Sequence, residues 1–329
     1  MGKYRGDDED WLDEEGDKKN PNRAASRVKP KPKVTFLSKE SANAKVIEVY
    51  PQRARVRMLL DGAVRDVGYR KSKIPTAEIQ ERAPVAVGDF VQVGGVEGSY
   101  QVEGVCVREN AFSRPAPHTQ KRHVLAANID TIAIVSSTRS PDFSPGLLDR
   151  FLVSAHASHI EPTLIVNKSD LIADQTSGEW QEYIRLGYKV YLVCSKDPDS
   201  LLDLKSWLLN KTAVFCGTSG VGKTSLLRGL LGDPSIGRIA EISENTGRGV
   251  HTTTSSMFIH GTDWVDTPGI RELGLWQIAR SDLREYFPEF RDLSCQSTGC
   301  LHLELLDECD AKSLFRWPSY IRIFNSLDA

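Results

Sequence analysis

The sequence predicts a multi-domain fold: an N-terminal β-barrel, a central α/β domain with a mostly parallel sheet, and a mainly helical C-terminal domain. Three observations carry this. Residues 44–108 run as short alternating segments broken by turn residues, residues 128–231 alternate apolar strand-like runs with helix-like ones, and residues 281–329 gather Cys and His ahead of a short terminal helix.

The chain's 329 residues exceed what one ordinary core encloses, so two or three domains are expected. Hydrophobic residues at 40% and charged residues at 26% are the proportions of a soluble globular protein. No apolar run approaches the roughly 20 residues of a membrane span, and the acidic, polar N-terminus is unlike a signal peptide. The expectation is a cytoplasmic protein with no membrane contact. A net charge of -2 gives no general affinity for nucleic acid, although such an average conceals local patches.

Residues 1–41 carry almost no apolar side chains and are expected to be a disordered tail. An acidic block, Asp7 to Asp17, passes into a basic block with Lys18, Lys19, Arg23, Arg27, Lys29, Lys31 and Lys33. The basic block is either an arm for RNA phosphates or a solvated tail. Trp11 has no account.

Residues 42–112 form the barrel. Five strands are expected at Ala44–Tyr50, Arg53–Leu60, Ala63–Tyr69, Phe90–Val93 and Tyr100–Arg108, with Asp61-Gly62 and Gly94-Gly95 among the turns. Five short strands with such turns suggest a Greek-key barrel of the OB-fold type, which often binds oligonucleotides. Arg53, Arg55 and Arg57 alternate with Ala54, Val56 and Met58 and so share one strand face. With Arg65, Arg70, Lys71 and Lys73 they make either a basic surface for RNA or a solvated outer face.

Residues 113–280 form the α/β domain. Strands are expected within Asn128–Ser137, at Pro162–Val166, Val190–Cys194 and Ala213–Cys216, with helices at Asp149–Ser158 and Leu201–Leu209. The strand Ala213–Cys216 runs into Gly217, Thr218, Ser219, Gly220, Val221, Gly222, Lys223, Thr224 and Ser225, then a helix-like run. Strand, glycine-rich turn and Lys-Thr at a helix start form the phosphate-cradling loop of nucleotide hydrolases. Its glycines turn N–H groups inward, the helix points its positive end at the same place, Lys223 reaches the β- and γ-phosphates and Thr224 takes one position on Mg²⁺. At the end of an earlier strand stand Asn167, Lys168, Ser169 and Asp170. A guanine presents N1–H and 2-amino donors that a carboxylate accepts as a pair, which assigns Asp170 to the base; Asn167 can address its other edge and the Lys168 stem its face. Ser195, at the end of Val190–Cys194, begins a loop placed to close over the base.

Beyond the phosphate loop lie Thr252–Thr254 and the Asp266–Gly269 turn. Asp266 can hold Mg²⁺, the Gly269 N–H can sense the γ-phosphate, and a threonine such as Thr253 can complete the metal's shell while that phosphate is present. Asn167–Asp170 precede the phosphate loop, the reverse of the order in a Ras-like domain. The chain is therefore expected to be circularly permuted, with the segment around Asp266–Gly269 running directly into the C-terminal residues.

Those residues, 281–329, contain Cys295, Cys300, His302 and Cys309, three thiolates and an imidazole suited to one closed structural Zn²⁺ site. A disulfide is the alternative, disfavoured in a reducing compartment. Cys106, Cys194 and Cys216 sit in apolar runs and are expected as buried thiols. Trp317–Phe324 reads as a short helix with exposed basic and aromatic groups.

Together the phosphate loop, Gly247-Arg-Gly-Val-His-Thr-Thr-Thr254, Asp266-Thr-Pro-Gly-Ile270 and the Cys-x4-Cys-x-His-x6-Cys spacing closely resemble the RsgA/YjeQ family of circularly permuted GTPases that assist maturation of the small ribosomal subunit. The resemblance covers residues 42–326. It implies an OB barrel, a permuted GTPase and a zinc domain, with GTP/GDP, Mg²⁺ and one Zn²⁺ as ligands. It also implies the small ribosomal subunit and its 16S-type rRNA as partners and hydrolysis stimulated by docking. A monomer is expected. Two departures stand out: Val250 replaces a usual Lys or Arg, and the last zinc spacing is x6 in place of x5.

Ras-like enzymes orient the attacking water with a Gln after Asp-x-x-Gly, a position held here by Ile270. The free protein is therefore expected to turn over slowly, and His251, beside Thr253, is the candidate to place water once the protein docks, as the family's analogous histidine implies. The alternative is a loop histidine contacting RNA or solvent. Hydrolysis would time release from the ribosome. The competing functions are a GTP-gated RNA-binding checkpoint with incidental hydrolysis, and action on another RNA such as the large subunit.

Overall fold

The computed structural model describes residues 37–69, 83–115, 122–236, 257–259, 261–266, 278–291, 293, 300, 302–303 and 309–327. They belong to one compact unit, Val34–Ala329. The acidic and basic blocks of the tail, Trp11, Arg70, Lys71, Lys73, Val250 and Ile270 lie outside the described residues.

The barrel is built from β1 (Ala44–Tyr50), β2 (Arg53–Met58), β3 (Val64–Gly68), β4 (Phe90–Gly94) and β5 (Gln101–Val105). Its order is β1-β2-β3-β5-β4, closed by a β4–β1 pairing, with β3–β5 the one parallel pair among the five. Closure removes the free edges an open five-strand sheet would expose. On β2 the expected alternation holds: Ala54 and Val56 are buried with Val46, Val67, Val91 and Val105, while Arg53 and Arg55 face out.

The central sheet runs β10-β9-β8-β11-β13-β12: β8 (Thr131–Ser137), β9 (Glu161–Asn167), β10 (Lys189–Leu192), β11 (Ala213–Gly217), β12 (Met257–Phe258) and β13 (Trp264–Asp266). All neighbours are parallel except β12–β13. Apolar residues bury both faces, as a sheet with helices on each side requires. One face packs α1 (Pro145–Ala157) and α2 (Trp180–Arg185), and the other packs α3 (Leu202–Leu208) and α4 (Lys223–Leu231). α1 opens on Pro145, whose fixed φ suits a first helical residue, and buries Leu148, Phe151, Leu152 and Ala155 at helical spacing. Among the described residues a β1–β12 bridge, Glu48↔Met257, joins barrel and central sheet.

Three features depart from the sequence reading. A two-stranded sheet of β6 (Ala111–Pro115) and β7 (Arg122–Ala127) occupies a stretch for which no element was expected. The outer face of β2 is largely neutralised from within. Arg57 pairs with Asp263 at 2.7 Å, and Arg55 pairs with Glu48 at 3.3 Å and Asp66 at 3.8 Å. The terminal helix α6 (Trp317–Ser326), which follows α5 (Pro288–Arg291), buries Tyr320 and Phe324 with Phe287 and Phe290, so its aromatic groups face a core and Arg322 faces out.

Candidate nucleotide site and metal centre

The carboxyl ends of β8, β9, β11 and β13 gather the predicted segments at one edge of the sheet, the place where parallel α/β sheets hold ligands. β11 ends at Gly217, and α4 begins at Lys223. Gly222, the residue before α4, has φ 89°, and a Cβ there would lie 2.5 Å from the Asn167 amide nitrogen. Gly217 is equally closed to a side chain, because a Cβ would collide with the Val135 carbonyl. These two glycines are thus demanded by close approach as well as by backbone conformation. The 9 residues of α4 direct the helix's positive end into the loop.

Asn167 is fully buried, and its amide ties three segments together. Its Nδ2 donates to the Val221 carbonyl at 3.0 Å, and its Oδ1 accepts from the Ser195 N–H at 3.0 Å. Sequence reading assigned this amide to an edge of the base; these bonds give it the further work of fastening the Asn167 and Ser195 segments to the phosphate loop. Lys168 adopts φ 63°, and its ammonium donates to Gly220 O at 2.7 Å and to Ser140 O. Ser169 is buried with its N–H on Val193 O at 3.0 Å, which leaves Asp170 exposed at the start of the loop region, 3.6 Å from Lys196. Desolvation is the largest single influence on the Asp170 carboxyl and raises it, but the Cys194 thiol, its own N–H and Lys196 together outweigh it and hold it below the usual range, so it is ionised at neutral pH.

Lys223 and Asp266 meet in an ion pair that joins the start of α4 to the end of β13. Thr224 is half-buried on the next residue of α4, and Thr218, Ser219 and Ser225 complete the loop and first turn. His251, Thr253 and Gly269 lie outside the described residues. A signal that sequence reading passed over is Thr138, buried after β8, whose hydroxyl donates to Lys168 O at 2.6 Å.

The second cluster is Cys300, His302 and Cys309, all buried, with one ligand atom from each inside 4.8 Å of the others. The two sulfurs are 3.9 Å apart, and His302 Nδ1 is 3.4 Å from Cys309 Sγ. A zinc tetrahedron with bonds of about 2.3 Å to sulfur and about 2.0–2.1 Å to nitrogen has S–S and S–N edges of about 3.8 and about 3.6 Å. The spacing fits that set, and the two sulfurs are far beyond the bond length of a disulfide; Cys106, Cys194 and Cys216 are buried, as expected. Burial pushes the His302 imidazole down, toward the neutral form that ligates a metal. Phe290 and Tyr320 pack edge-on to the ring, and Trp317 Nε1 donates to His302 O at 3.0 Å. Cys295 lies outside the described residues.

Among the described residues Arg316 stands out as a wholly buried cation. Its Nε reaches Asp149 of α1 at 2.7 Å, its Nη1 reaches Glu289 at 3.1 Å and Tyr188 at 3.2 Å, and its Cζ lies 4.4 Å from the centre of the Phe287 ring.

A sequence model of the RsgA GTPase family matches residues 105–276. A Bacillus subtilis protein named small ribosomal subunit biogenesis GTPase RsgA is 40% identical over 230 residues, 66% of this chain and 73% of that protein. Among solved structures, YjeQ from Thermotoga maritima superposes with a TM-score of 0.65 at 26% identity, covering 87% of this chain and 98% of its own. YloQ, described as a circularly permuted GTPase, gives 0.62 at 28% identity, covering 86% and 93%. Strand β9 with Asn167–Asp170 precedes strand β11 with the phosphate loop in sequence, yet both end at the same edge of one sheet, so the permuted order and its matches agree. With half the chain under the family's own pattern and the barrel, permuted sheet and Cys/His cluster all in place, the chain belongs to the RsgA GTPase family.

Proposed function

We propose that this GTPase binds GTP between Asn167–Asp170 and Gly217–Ser225, and acts on the small ribosomal subunit through its rRNA as a monomeric cytoplasmic protein, its hydrolysis stimulated by docking and timing release. Small-subunit biogenesis is what the name of the Bacillus subtilis relative states. The observation that carries the nucleotide reading is the bonding of Asn167 and Lys168 to the carbonyls of Val221 and Gly220. Two segments more than 50 residues apart thereby become one rigid cradle, and a cradle of that composition suits guanine at one end and phosphates at the other. Among the described residues no helix is long and apolar enough to cross a membrane.

Thr224 and Asp266 would hold Mg²⁺, which supplies charge neutralisation on the phosphates. The Lys223–Asp266 pair supports the fit, since it places the carboxylate beside the first turn of α4. Lys223 would exchange Asp266 for the β- and γ-phosphate oxygens as GTP enters, and Gly269 would follow the γ-phosphate. His251 and Thr253 are proposed to complete the reacting site on docking. Measured alone, turnover should be slow, on the order of 10⁻⁴–10⁻³ s⁻¹. Small subunits should raise it strongly, while large subunits and free RNA should leave it near the basal rate. His251→Ala should keep the basal rate and lose the stimulation; equal stimulation by large subunits would overturn the choice of partner.

Cys295, Cys300, His302 and Cys309 are proposed as ligands of one structural Zn²⁺ that knits the C-terminal residues together. Atomic absorption should find one zinc per chain. Cys309→Ser should lose it and lower the melting temperature, whereas guanine-nucleotide affinity should stay within about twofold because the nucleotide residues lie on other elements.

A further inference from the structure

We infer that Thr138 is a positioning residue for guanine recognition, acting through the Lys168 carbonyl; the inference rests on the assignment of Asp170 to the base. Thr138 follows β8, is 6% exposed and has no place in the phosphate loop or in the Asn167–Asp170 segment. Its backbone N–H donates to Asn167 O at 3.0 Å, and its hydroxyl donates to Lys168 O at 2.6 Å. The same carbonyl accepts the Leu171 N–H at 3.0 Å, closing the 3-10 turn Ser169–Leu171 that presents Asp170. Both lone pairs of that oxygen are thus occupied, one by the turn and one by Thr138.

This arrangement answers a local problem. Lys168 sits at φ 63°, ψ 40°, the left-handed region that a residue with a Cβ adopts at a cost. Left to itself the peptide after Lys168 would relax, swinging the turn and the Asp170 carboxylate with it. The residues after β8 hold it from two sides. Ser140 O accepts from the Lys168 ammonium, and Thr138 Oγ1 donates to the Lys168 carbonyl. Ser137 stiffens that loop in turn, its hydroxyl donating to Pro141 O at 2.7 Å. The ammonium contact also involves Gly220, so it reports on the phosphate loop as well; the Thr138 bond touches only the turn bearing Asp170. Thr138 therefore governs where the carboxylate stands, not whether phosphates bind.

The bond to the guanine 2-amino group is the sensitive reporter of carboxylate placement. Inosine diphosphate lacks that amino group and keeps N1–H, so the ratio of GDP to IDP affinity measures how well Asp170 reaches both donors. Thr138→Val keeps the shape and removes the hydroxyl. It should lower the GDP:IDP affinity ratio about two- to tenfold, the range of one net hydrogen bond, and raise KM for GTP with kcat unchanged. Thr138→Ser should restore the wild-type ratio, and Thr138→Ala, which creates no new contact, should repeat the valine result if the valine variant folds poorly. A wild-type GDP:IDP ratio in both Thr138→Val and Thr138→Ala would overturn the inference. Absence of any preference for GDP over IDP in the wild-type protein would instead overturn the assignment of Asp170 itself, and this inference with it.

Discussion

Arg316→Met is expected to destabilise the protein by about 3–5 kcal/mol, the cost of breaking a buried ion pair from one side. Arg316 and Asp149 are both fully buried, and Glu289 is nearly so. Removing the guanidinium leaves the Asp149 and Glu289 carboxylates buried beside Phe287, Tyr183 and Tyr188 without their cation, the Tyr183 hydroxyl still donating to Asp149 at 3.0 Å. The comparison that isolates the cause is the double variant Asp149→Leu with Arg316→Met. It should recover much of the loss, because replacing a buried pair by apolar groups is often close to neutral while orphaning one charge is not. Urea unfolding followed by tryptophan fluorescence measures both, and a double variant no more stable than Arg316→Met would assign the loss to the Glu289 carboxylate left without its cation and not to the Asp149–Arg316 pair.

The effect also carries a sign with pH. Desolvation already raises the Glu289 carboxyl in the native protein, with Arg316 opposing it. Without Arg316 that opposition is gone, so the folded-state value rises further above the unfolded one. The folded state then holds more protons than the unfolded state between those two values, and stability falls as pH rises through that window. The Arg316→Met penalty should accordingly be smaller near pH 5 than near pH 8.

Why this pair was invisible in the sequence is instructive. Asp149 and Arg316 are 167 residues apart, and each reads as an ordinary surface charge on an amphipathic helix or at its edge. The same blindness affected β2: the alternation of Arg53, Arg55 and Arg57 with Ala54 and Val56 was legible because side chains alternate along a strand, but nothing local revealed that Asp263 would arrive 206 residues later to neutralise Arg57. Local rules therefore gave the barrel strands, the parallel order and the glycine-rich turn. They missed β6 and β7, whose pairing partner for each is simply the other, and α2, a helix of 6 residues between Gly178 and Gly187 that is too short for periodicity to register. At the nucleotide site the motif letters were readable, whereas the bonds of Asn167 and Lys168 to the phosphate loop are products of the fold.

Asp170→Asn should weaken GDP binding about 10²–10⁴-fold and at the same time admit xanthosine diphosphate. The carboxylate accepts from two guanine donors, N1–H and the 2-amino group, and a hydrogen bond to a charged group is worth about 1.5–3 kcal/mol. An amide replaces one acceptor oxygen by an NH₂ that points a donor at a donor, so at least one of the two bonds becomes repulsive. Xanthine carries a carbonyl oxygen where guanine carries the amino group, which is the acceptor the new NH₂ requires. Thermal damage is not expected, because Asp170 is exposed and its ion-pair partner, Lys196, is more exposed still. Titration of both nucleotides against wild type and variant gives four affinities. A variant that loses GDP without gaining XDP would show that Asp170 holds the loop and not the base; one that keeps GDP would remove the carboxylate from recognition altogether. The neighbouring Asn167→Ala should behave differently, losing both nucleotides together, since its buried amide joins Val221 and Ser195 and a base-independent cradle fails without it.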